Sequence, residues 1–459
     1  MIIPMNQYIR SLTLTLSIFI PLTFINVSES SELSEAKITL NDLYLFDEIS
    51  SIDVSHSAKQ IAYSVSSVDE KKDSYRNDIW LLDIHKNKEK ILIKGRPWVG
   101  KTKFSPDDSL LGYLAPGRGQ YSEYQQIWTI NTNYRTKRQL TKLKANINDF
   151  EWSPDGTQMI LVADSISVDK KTKSSVQTQK PIVIDRYYFK EDGKEFLGDE
   201  RQHLHLLDIK SRTTRQLTKG TSNEILPSWS PDSKKIAYVT KTGEMDRTNN
   251  YDVYVLEIDS TNNPIQLTTN LGADSSSSRP QWSPDGKKIA YLHGGDPALL
   301  WYALQELAVI DLDTKINSIL TKELDRNVSS PQWSDDGQSI YFVIEDNMKS
   351  QLAKYSITNQ KIKKITPSNY YISGWAKSYV VRNGKIGLIL SNTNSPDEVY
   401  FYDGNSLSQQ SHHNSELLSS RKILKTETIS FKAADGEELF GMMIKPDNFD
   451  PSKQYPLII

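Results

Sequence analysis

One short motif recurs along this chain and limits its fold more than any other feature. It reads aromatic-Ser-Pro-Asp-Gly followed by an alternating segment such as "KKIAYV", and five clear copies begin at residues 103, 151, 228, 281 and 332. The aromatic positions are separated by 48, 77, 53 and 51 residues. A period near fifty residues, with one insertion, is typical of a β-propeller with WD40-like repeats or of a similar array.

Each copy predicts a tight turn between two strands. Proline presets φ, aspartate bonds its own backbone and glycine accepts a positive φ. A third strand follows in each unit, and then a fourth that ends near Leu-Thr. Such a sheet cannot bury both faces alone, so the sheets must stack around a ring. We expect structural roles in the repeat for Phe104, Trp152, Trp229, Trp282, Trp333, Pro106, Pro154, Pro231, Pro284, Asp107, Asp155, Asp232 and Asp285.

Two worn copies complete the repeat. One starts at Asp53, and a more eroded one spans 372–390. The sequence therefore predicts an all-β fold with seven four-stranded blades, although the spacing also allows six or eight. The long gap after Trp152 holds a polar segment and then "IVIDRYYFKEDGKEF", which predicts a loop followed by an extended aromatic hairpin.

The first thirty residues differ from the repeat. Arg10 precedes the apolar stretch "SLTLTLSIFIPLTFI", and small polar residues follow up to Ser30. This pattern predicts a signal peptide over 1–30 and a periplasmic or secreted protein. The alternative is a single membrane anchor, which Pro21 and the short apolar length disfavour. We expect no stable membrane insertion after signal cleavage.

Composition narrows the function classes further. The chain has no cysteine, which removes disulfides, thiolate metal sites and a cysteine nucleophile. Its 55 Lys and Arg balance 57 Asp and Glu, which argues against a nucleic-acid partner. We expect neither a metal nor a cofactor.

The repeated motif is no longer found after about residue 420. Two alternating strands are predicted over 428–432 and 439–445, around a turn at Asp435-Gly436. The apolar run "YPLII" at 455–459 is typical of a strand buried on both faces. We therefore expect a signal peptide at 1–30, a propeller at 31–420 and the first strands of a different domain at 421–459.

The features that carry a family resemblance are the signal-like start, the repeats and the segment "DGEELFGMMIKPDNFDPSKQYPLII". By these features the chain resembles the prolyl oligopeptidase family of serine peptidases. The similarity is to its exported acylaminoacyl-peptidase and dipeptidyl-peptidase-like branch, and it covers the chain from about residue 40. It rests on "PIVIDRYYFKEDG" and "HGGDPALLWYALQELAVIDL" as well. The resemblance implies that 421–459 begins an α/β-hydrolase domain, and that the propeller limits access of peptide substrates to it.

The family's catalytic residues have no counterpart in residues 1–459. The family carries Gly-x-Ser-x-Gly followed by an Asp and a His, and this sequence contains no Gly-x-Ser-x-Gly. We therefore assign no catalytic residue, and we expect a truncated chain that is inactive alone. The expected partners are peptide substrates in the intact parent enzyme and, for this chain, a complementing hydrolase fragment or a protein partner.

Three groups of residues are candidates for a functional site. His293-Gly294-Gly295 matches an oxyanion element, but its place at the end of a second strand predicts an ordinary blade loop. Arg186, among aromatic residues, is a candidate to bind a substrate carboxylate or carbonyl; the alternative is an ion pair with Asp185 or a neighbouring loop acid. His203 and His205 share a strand face, but a zinc site would need a further ligand, which favours half-buried strand histidines.

A second hypothesis is a self-sufficient periplasmic propeller similar to the TolB-type interaction proteins, which carry the same repeats and bind protein partners. The segment that distinguishes the two hypotheses is "KPDNFDPSKQYPLII". A propeller that only binds partners does not require it, so the peptidase-type hypothesis is preferred.

Overall fold

The structure is a computed structural model that describes residues 36–165, 183–184, 186–192, 195–244, 246–373 and 378–459. The predicted signal peptide at 1–30 lies outside the described residues, as does most of the predicted polar loop after residue 165. No helix in the described ranges is long and apolar enough to cross a membrane.

Seven sheets succeed one another along the chain, and each is built from consecutive strands except the third, which is interrupted by a two-stranded insertion. Six sheets have four strands and the seventh has five, and all seven are antiparallel throughout. The inner strands of successive sheets contact one another around a ring that the first and last sheets close. The fold is therefore the predicted all-β propeller, with seven blades.

A short strand precedes the ring, β1 (Ala36–Lys37), with a 3₁₀ helix at Leu40–Leu45. Blade 1 contains β2 (Glu48–Val54), β3 (Gln60–Asp69), β4 (Ser74–Asp83) and β5 (Lys88–Arg96). Blade 2 contains β6 (Gly100–Phe104), β7 (Leu110–Pro116), β8 (Gln125–Asn131) and β9 (Lys137–Gln139). Blade 3 contains β10 (Ile147–Trp152), β11 (Gln158–Asp164), the inserted pair β12 (Lys190–Glu191) and β13 (Glu195–Phe196), then β14 (Gln202–Asp208) and β15 (Thr214–Gln216).

Blade 4 contains β16 (Glu224–Trp229), β17 (Lys235–Lys241), β18 (Tyr251–Glu257) and β19 (Ile265–Gln266). Blade 5 contains β20 (Gln281–Trp282), β21 (Lys288–Gly294), β22 (Gln305–Asp311) and β23 (Asn317–Ile319). Blade 6 contains β24 (Val328–Trp333), β25 (Ser339–Asp346), β26 (Lys349–Ser356) and β27 (Ile362–Lys364). Blade 7 contains β28 (Tyr371–Ile372), β29 (Tyr379–Arg382), β30 (Lys385–Asn392), β31 (Ser395–Tyr402) and β32 (Leu407–Gln409).

Four elements follow the ring: α1 (Ser415–Ser419), β33 (Arg421–Lys422), β34 (Thr426–Lys432) and β35 (Glu438–Ile444). Short 3₁₀ helices also occur within the blades, at Glu70–Lys72, Gly119–Tyr121, Pro297–Tyr302 and Lys322–Leu324.

The core is divided among the blade interfaces. Seven clusters of buried apolar side chains each join two neighbouring blades, and one of them joins blade 1 to blade 7. In that last cluster Ile52 and Val54 of blade 1 pack with Val380 and Val399 of blade 7. No strand is shared between these two blades within the described residues. Packing of apolar side chains is therefore the main force that closes the ring.

Side-chain amide contacts support this closure. Asn414 is buried, accepts the N–H of Asp47 at 2.8 Å and donates to the Asp47 carbonyl at 2.9 Å. Outside the ring, β1 pairs in parallel with β33, and Arg421 makes a two-contact ion pair with Asp42 at 2.7 and 3.1 Å. The segments before and after the ring are therefore joined to each other where the ring closes.

The repeated tryptophan joins neighbouring blades. The indole N–H of each one donates to a backbone carbonyl of the preceding blade, one residue before that blade's own aromatic. The four pairs, at 3.1–3.2 Å, are Trp152 to Lys103, Trp229 to Glu151, Trp282 to Ser228 and Trp333 to Gln281. The same side chain thus supplies both apolar area and a directional contact at its interface.

The Ser-Pro-Asp turns contact one another in sequence around one face of the ring. Within each turn the serine hydroxyl donates to the aspartate two residues later, for example Ser283 to Asp285 at 2.6 Å. Between turns, Gly286 lies against the ring of Pro231. Worn copies use side-chain contacts instead: Asn383 of blade 7 donates to the His56 carbonyl of blade 1 at 2.8 Å.

Glycine suits the left-handed backbone at the last position of the turn, a conformation that Ala58, Asp108 and Ser233 adopt at some cost in blades 1, 2 and 4. Gly286 has φ +70°, and a Cβ placed there would meet Pro231 Cδ only at an ordinary contact distance of 3.7 Å. We therefore expect Gly286→Ala to cost about 1 kcal/mol through left-handed backbone strain rather than a clash. Urea unfolding would measure this cost. Gly198→Ala is the matched control, since nothing lies within 4 Å and its φ is ordinary; equal losses in both variants would contradict the explanation.

The four Leu-Thr endings of the fourth strands and the Ile365-Thr366 ending in blade 6 have a shared role. Each threonine hydroxyl accepts a backbone N–H from the third strand of its own blade, at 2.8–3.1 Å. The five threonines are Thr141, Thr218, Thr268, Thr321 and Thr366. This contact satisfies an N–H where the short fourth strand has ended.

Because neighbouring strands in each blade are antiparallel, successive loops lie alternately on the two opposite faces of the ring. The face that carries the Ser-Pro-Asp turns is called the motif face here. The loops between second and third strands lie on the opposite face, called the exit face, where the chain enters blade 1 and leaves blade 7. The insertion between β11 and β14 therefore projects from the exit face.

Candidate functional sites at the ring axis and on the inserted hairpin

Five charged side chains meet where inner strands approach the ring axis; they are called the axial cluster. Arg279 of blade 5 contacts two acids of blade 3, Asp149 at 2.7 Å and Glu151 at 3.3 Å. Lys101 and Lys103 of blade 2 pair with the same two acids. Because blade 4 lies between blades 3 and 5, this bridge can form only close to the axis.

The axial cluster is largely shielded from solvent. Its five side chains are between 11% and 25% exposed. Burial lowers the pKa of Arg279, and the Glu151 carboxylate opposes that shift. Charges withdrawn from water need partners, and each acid here faces two cations. With three cations to two anions, the cluster presents a small positive excess at the axis.

Backbone irregularities place these side chains. The register of β6 shifts between Gly100 and Thr102, where Lys101 has φ +43°, and that of β10 shifts between Ile147 and Asp149. A β-bulge bends the strand and re-aims the neighbouring side chain. The bulges thus place Lys101 and Asp149 against each other across the interface of blades 2 and 3.

Sequence reasoning did not identify the axial cluster, although a signal was present. Charged residues stand three positions before the repeated aromatic in blades 2, 3 and 5 and one position before it in blades 2 and 3. The positions are Lys101, Asp149 and Arg279, then Lys103 and Glu151. Aligning the copies on the aromatic would have brought these charges into two columns.

Arg186, the predicted substrate-binding residue, is held within the chain. Its guanidinium makes two contacts with Asp246 of blade 4, at 2.7 and 3.0 Å, and donates to the Gly198 carbonyl at 2.8 Å. The side-chain contact with Arg186 lowers the pKa of Asp246. The alternative of an ion pair with a neighbouring loop acid is therefore realised with Asp246, and Asp185 lies outside the described residues. A direct contact of Arg186 with substrate stays a prediction.

His203 and His205 lie on β14, in the middle of blade 3. His203 is buried, and its Nδ1 lies 2.7 Å from the Glu224 carboxylate, which also accepts from Thr218 at 2.8 Å. No group of three His, Asp or Glu side chains suited to a metal ion occurs in the described part of the chain. His203 thus has one carboxylate partner at the interface of blades 3 and 4.

The neutral state of His205 makes stability depend on pH. Burial lowers its pKa to about 4, and His203 adds to the shift. The unfolded chain therefore binds more protons between pH 6.5 and 4, and stability falls as pH is lowered through that window. We expect a loss of about 2 kcal/mol, after allowance for partial exposure. His205→Gln should flatten this dependence in urea unfolding from pH 7 to 4, whereas the exposed His85→Gln should not. An unchanged pH slope in His205→Gln would contradict the assignment.

The His293-Gly294-Gly295 segment is part of the blade 4–5 contact. The Gly294 N–H donates to the buried Asp274 carboxylate at 2.8 Å, and a Cβ on Gly294 would lie 2.4 Å from the backbone N of Ala273. His293 Nδ1 lies 3.4 Å from the same carboxylate, whose hydrogen bond raises the pKa of the imidazole. A backbone N–H already donated within the chain is not available to an oxyanion, so the segment is the ordinary blade loop that its position predicts.

Known proteins with a similar sequence are peptidases. The chain is 24% identical over 442 residues to the uncharacterized peptidase YuxL of Bacillus subtilis, covering 92% of this chain and 65% of that protein. It is 24% identical over 485 residues to dipeptidyl-peptidase 5 of Porphyromonas endodontalis, covering 99% and 67%. The chain thus spans about two thirds of these relatives' length. A scan of protein-family models gave no match.

The fold comparison agrees with the sequence matches. The acylaminoacyl peptidase of Pyrococcus horikoshii superimposes with a TM-score of 0.71 at 16% identity, covering 90% of this chain and 60% of that one. The ring is therefore a propeller of the kind found in peptidases. The predicted resemblance to the propeller portion of the prolyl oligopeptidase family is confirmed.

Proposed function

We propose that this ring is the access-limiting portion of an exported serine peptidase that acts on peptides. The observation that carries the proposal is the match to the two peptidases over at least 92% of this chain, together with a ring closed at all seven interfaces. A closed ring of this kind admits narrow chains and excludes folded proteins. The family acts on peptide substrates.

The axial cluster supports this role. A peptide that moved along the axis would have to displace the pairs of Arg279 with Asp149 and Glu151, which bridge blades 3 and 5. Breaking partly buried ion pairs costs several kcal/mol unless the ligand replaces them. The cluster therefore acts as a constriction that selects for narrow chains with polar backbone groups.

The hairpin after the ring supports the proposed domain boundary. Among the residues that the structure describes, β34 and β35 pair only with each other, and their exposed apolar side chains include Ile429, Phe431, Leu439, Met442 and Ile444. An apolar hairpin without a sheet to cover it indicates a partner surface. We propose that 421–459 begins the α/β-hydrolase domain, which supplies the catalytic serine, and that 31–420 forms the propeller.

Export is part of the proposal. It rests on the signal-like pattern of 1–30 and on the absence of cysteine from the sequence, which suits an oxidising compartment. The fusion of residues 1–30 to a reporter enzyme that is active only outside the cytoplasm would test this part independently of the rest.

Two measurements test the peptidase assignment. The DNA that follows codon 459 should encode Gly-x-Ser-x-Gly, an Asp and a His, in the same or an adjacent reading frame. Purified residues 36–459 should not hydrolyse dipeptidyl or acylaminoacyl chromogenic substrates. Turnover that a serine-directed reagent abolishes would contradict the proposed division of roles.

A further inference from the structure

The inserted segment of blade 3 displays an unusual group of exposed aromatic rings. The segment at 186–192 and 195–198 is called the aromatic hairpin. Its strands β12 and β13 pair with each other, and Phe189 stacks on Phe196 at a centroid distance of 6.5 Å. Four rings on it remain between 39% and 69% exposed, those of Tyr187, Tyr188, Phe189 and Phe196. Four such rings within eleven residues form a patch of the kind that marks a binding surface.

The aromatic hairpin is fixed in place rather than collapsed onto the ring. Arg186 ties its base to Asp246 of blade 4 and to the Gly198 carbonyl. The Arg247 guanidinium lies 4.9 Å from the ring centre of Tyr187. Arg201 donates to the Thr221 carbonyl at 2.8 Å and to Gly198 at 3.3 Å. These contacts fix the base of the hairpin while its rings stay in water.

The position of the aromatic hairpin narrows the choice of ligand. It projects from the exit face, where the chain leaves the ring toward β34 and β35. Within the described residues its sheet has two strands, and the Leu197 N–H donates across it to the Phe189 carbonyl at 2.9 Å. The alternation of an antiparallel pair therefore turns the backbone groups of Lys190 and Phe196 toward the outer edges. An edge of this kind accepts an extended chain by strand addition, while side chains beside it supply contacts for alternate residues of the guest.

Charge around the aromatic hairpin argues against other ligand classes. The guanidiniums of Arg186 and Arg247 are paired with Asp246 and Glu244. The hairpin and its neighbours, residues 186–192, 195–201, 244, 246 and 247, carry four Lys or Arg against seven Asp or Glu, so this surface has no cationic excess. A nucleic acid or an anionic lipid surface would require a cationic excess.

We propose that the aromatic hairpin is a docking edge for an extended peptide that carries aromatic or large apolar side chains. The proposal rests on the function proposed above and names the part of the propeller that selects the substrate. The peptide adds a strand to β12 or β13, and its rings pack on Tyr187 and on the Phe189–Phe196 pair. Arg186 is a positioning residue in this arrangement, because it holds the hairpin through Asp246.

Fluorescence anisotropy with residues 36–459 tests the proposal. The probe is a fluorescein-labelled hexapeptide of alternating glycine and phenylalanine, and a Gly-Ser hexapeptide is the comparison. Wild type should bind the Phe probe, and the Tyr187→Ser, Phe189→Ser double variant should bind it at least about tenfold more weakly. Tyr134→Ser is the matched control, since Tyr134 is 82% exposed in the β8–β9 turn on the motif face; its affinity should be unchanged. Circular dichroism should show all variants folded.

Two further arms separate strand addition from general hydrophobic adhesion. The Phe probe with alternate amides N-methylated lacks half its N–H donors and should lose binding, and Asp246→Asn should weaken binding severalfold by freeing the hairpin. Equal binding of the N-methylated probe, equal binding by the double variant, or no binding to wild type would overturn the proposal. None of these results would alter the hydrolysis and DNA tests above, so the two proposals fail separately.

Discussion

Replacing Trp282 with alanine is expected to lower the free energy of unfolding by about 4 kcal/mol, the range for removal of a buried tryptophan. Trp282 packs between blades 4 and 5 with Ala237, Val255 and Tyr291. Its indole N–H also donates to the Ser228 carbonyl at 3.2 Å. The substitution therefore removes apolar packing at a blade interface together with the indole hydrogen bond to the Ser228 carbonyl.

Urea unfolding of residues 36–459 measures this effect. Trp282→Phe keeps most of the apolar area and loses the hydrogen bond, so a loss of about 1–2 kcal/mol is expected. Trp98 is 39% exposed, and Trp98→Ala should cost well under half of the Trp282→Ala value. If the two alanine variants lose the same stability, the repeated aromatic does not hold the blades together as described.

Replacing Arg279 with alanine is the second large expected change, a loss of about 3 kcal/mol. The reason is electrostatic, since Asp149 and Glu151 would each lose their shared cation on blade 5. The variant also severs the bridge between blades 3 and 5. A double-mutant cycle with Asp149→Ala should give a coupling energy of about 1–3 kcal/mol.

An exposed pair provides the control for Arg279. Arg326 contacts Asp346 at 2.8 Å, and its side chain is 43% exposed. We expect Arg326→Ala to cost less than about 1 kcal/mol, as exposed pairs do. If Arg279→Ala costs no more than Arg326→Ala, or shows no coupling with Asp149, the axial cluster is not a structural constriction.

The blade pattern could be predicted from the sequence because its signal is local and recurs from blade to blade. Each turn depends on a few adjacent residues, so even the copy at Asp53 and the eroded copy near Ile372 were recognised, and both prove to be blades. The Leu-Thr endings were seen as a pattern, but their hydrogen bonds to the third strand were not. The residue at which a strand ends can be predicted from the sequence more readily than the group that accepts a hydrogen bond from the N–H next to it.

The sites were harder to predict because they join residues far apart in the sequence. Arg186 and Asp246 are 60 residues apart, and Arg279 and Asp149 are 130 apart. A lone arginine among aromatic residues indicates a ligand contact. Its acidic partner, Asp246, can be identified only when blades 3 and 4 are known to be neighbours. The axial cluster required knowledge that blades 3 and 5 approach each other at the axis.

The most direct test of the central claim is a size-selection measurement. Residues 36–420 would replace the matching region of the Bacillus subtilis peptidase, and kcat/KM would be compared for a hexapeptide and for the same six residues at the free N-terminus of a folded protein. The account predicts that kcat/KM is at least about tenfold higher for the free hexapeptide, because the closed ring excludes the folded body. Equal values for the two substrates would contradict it.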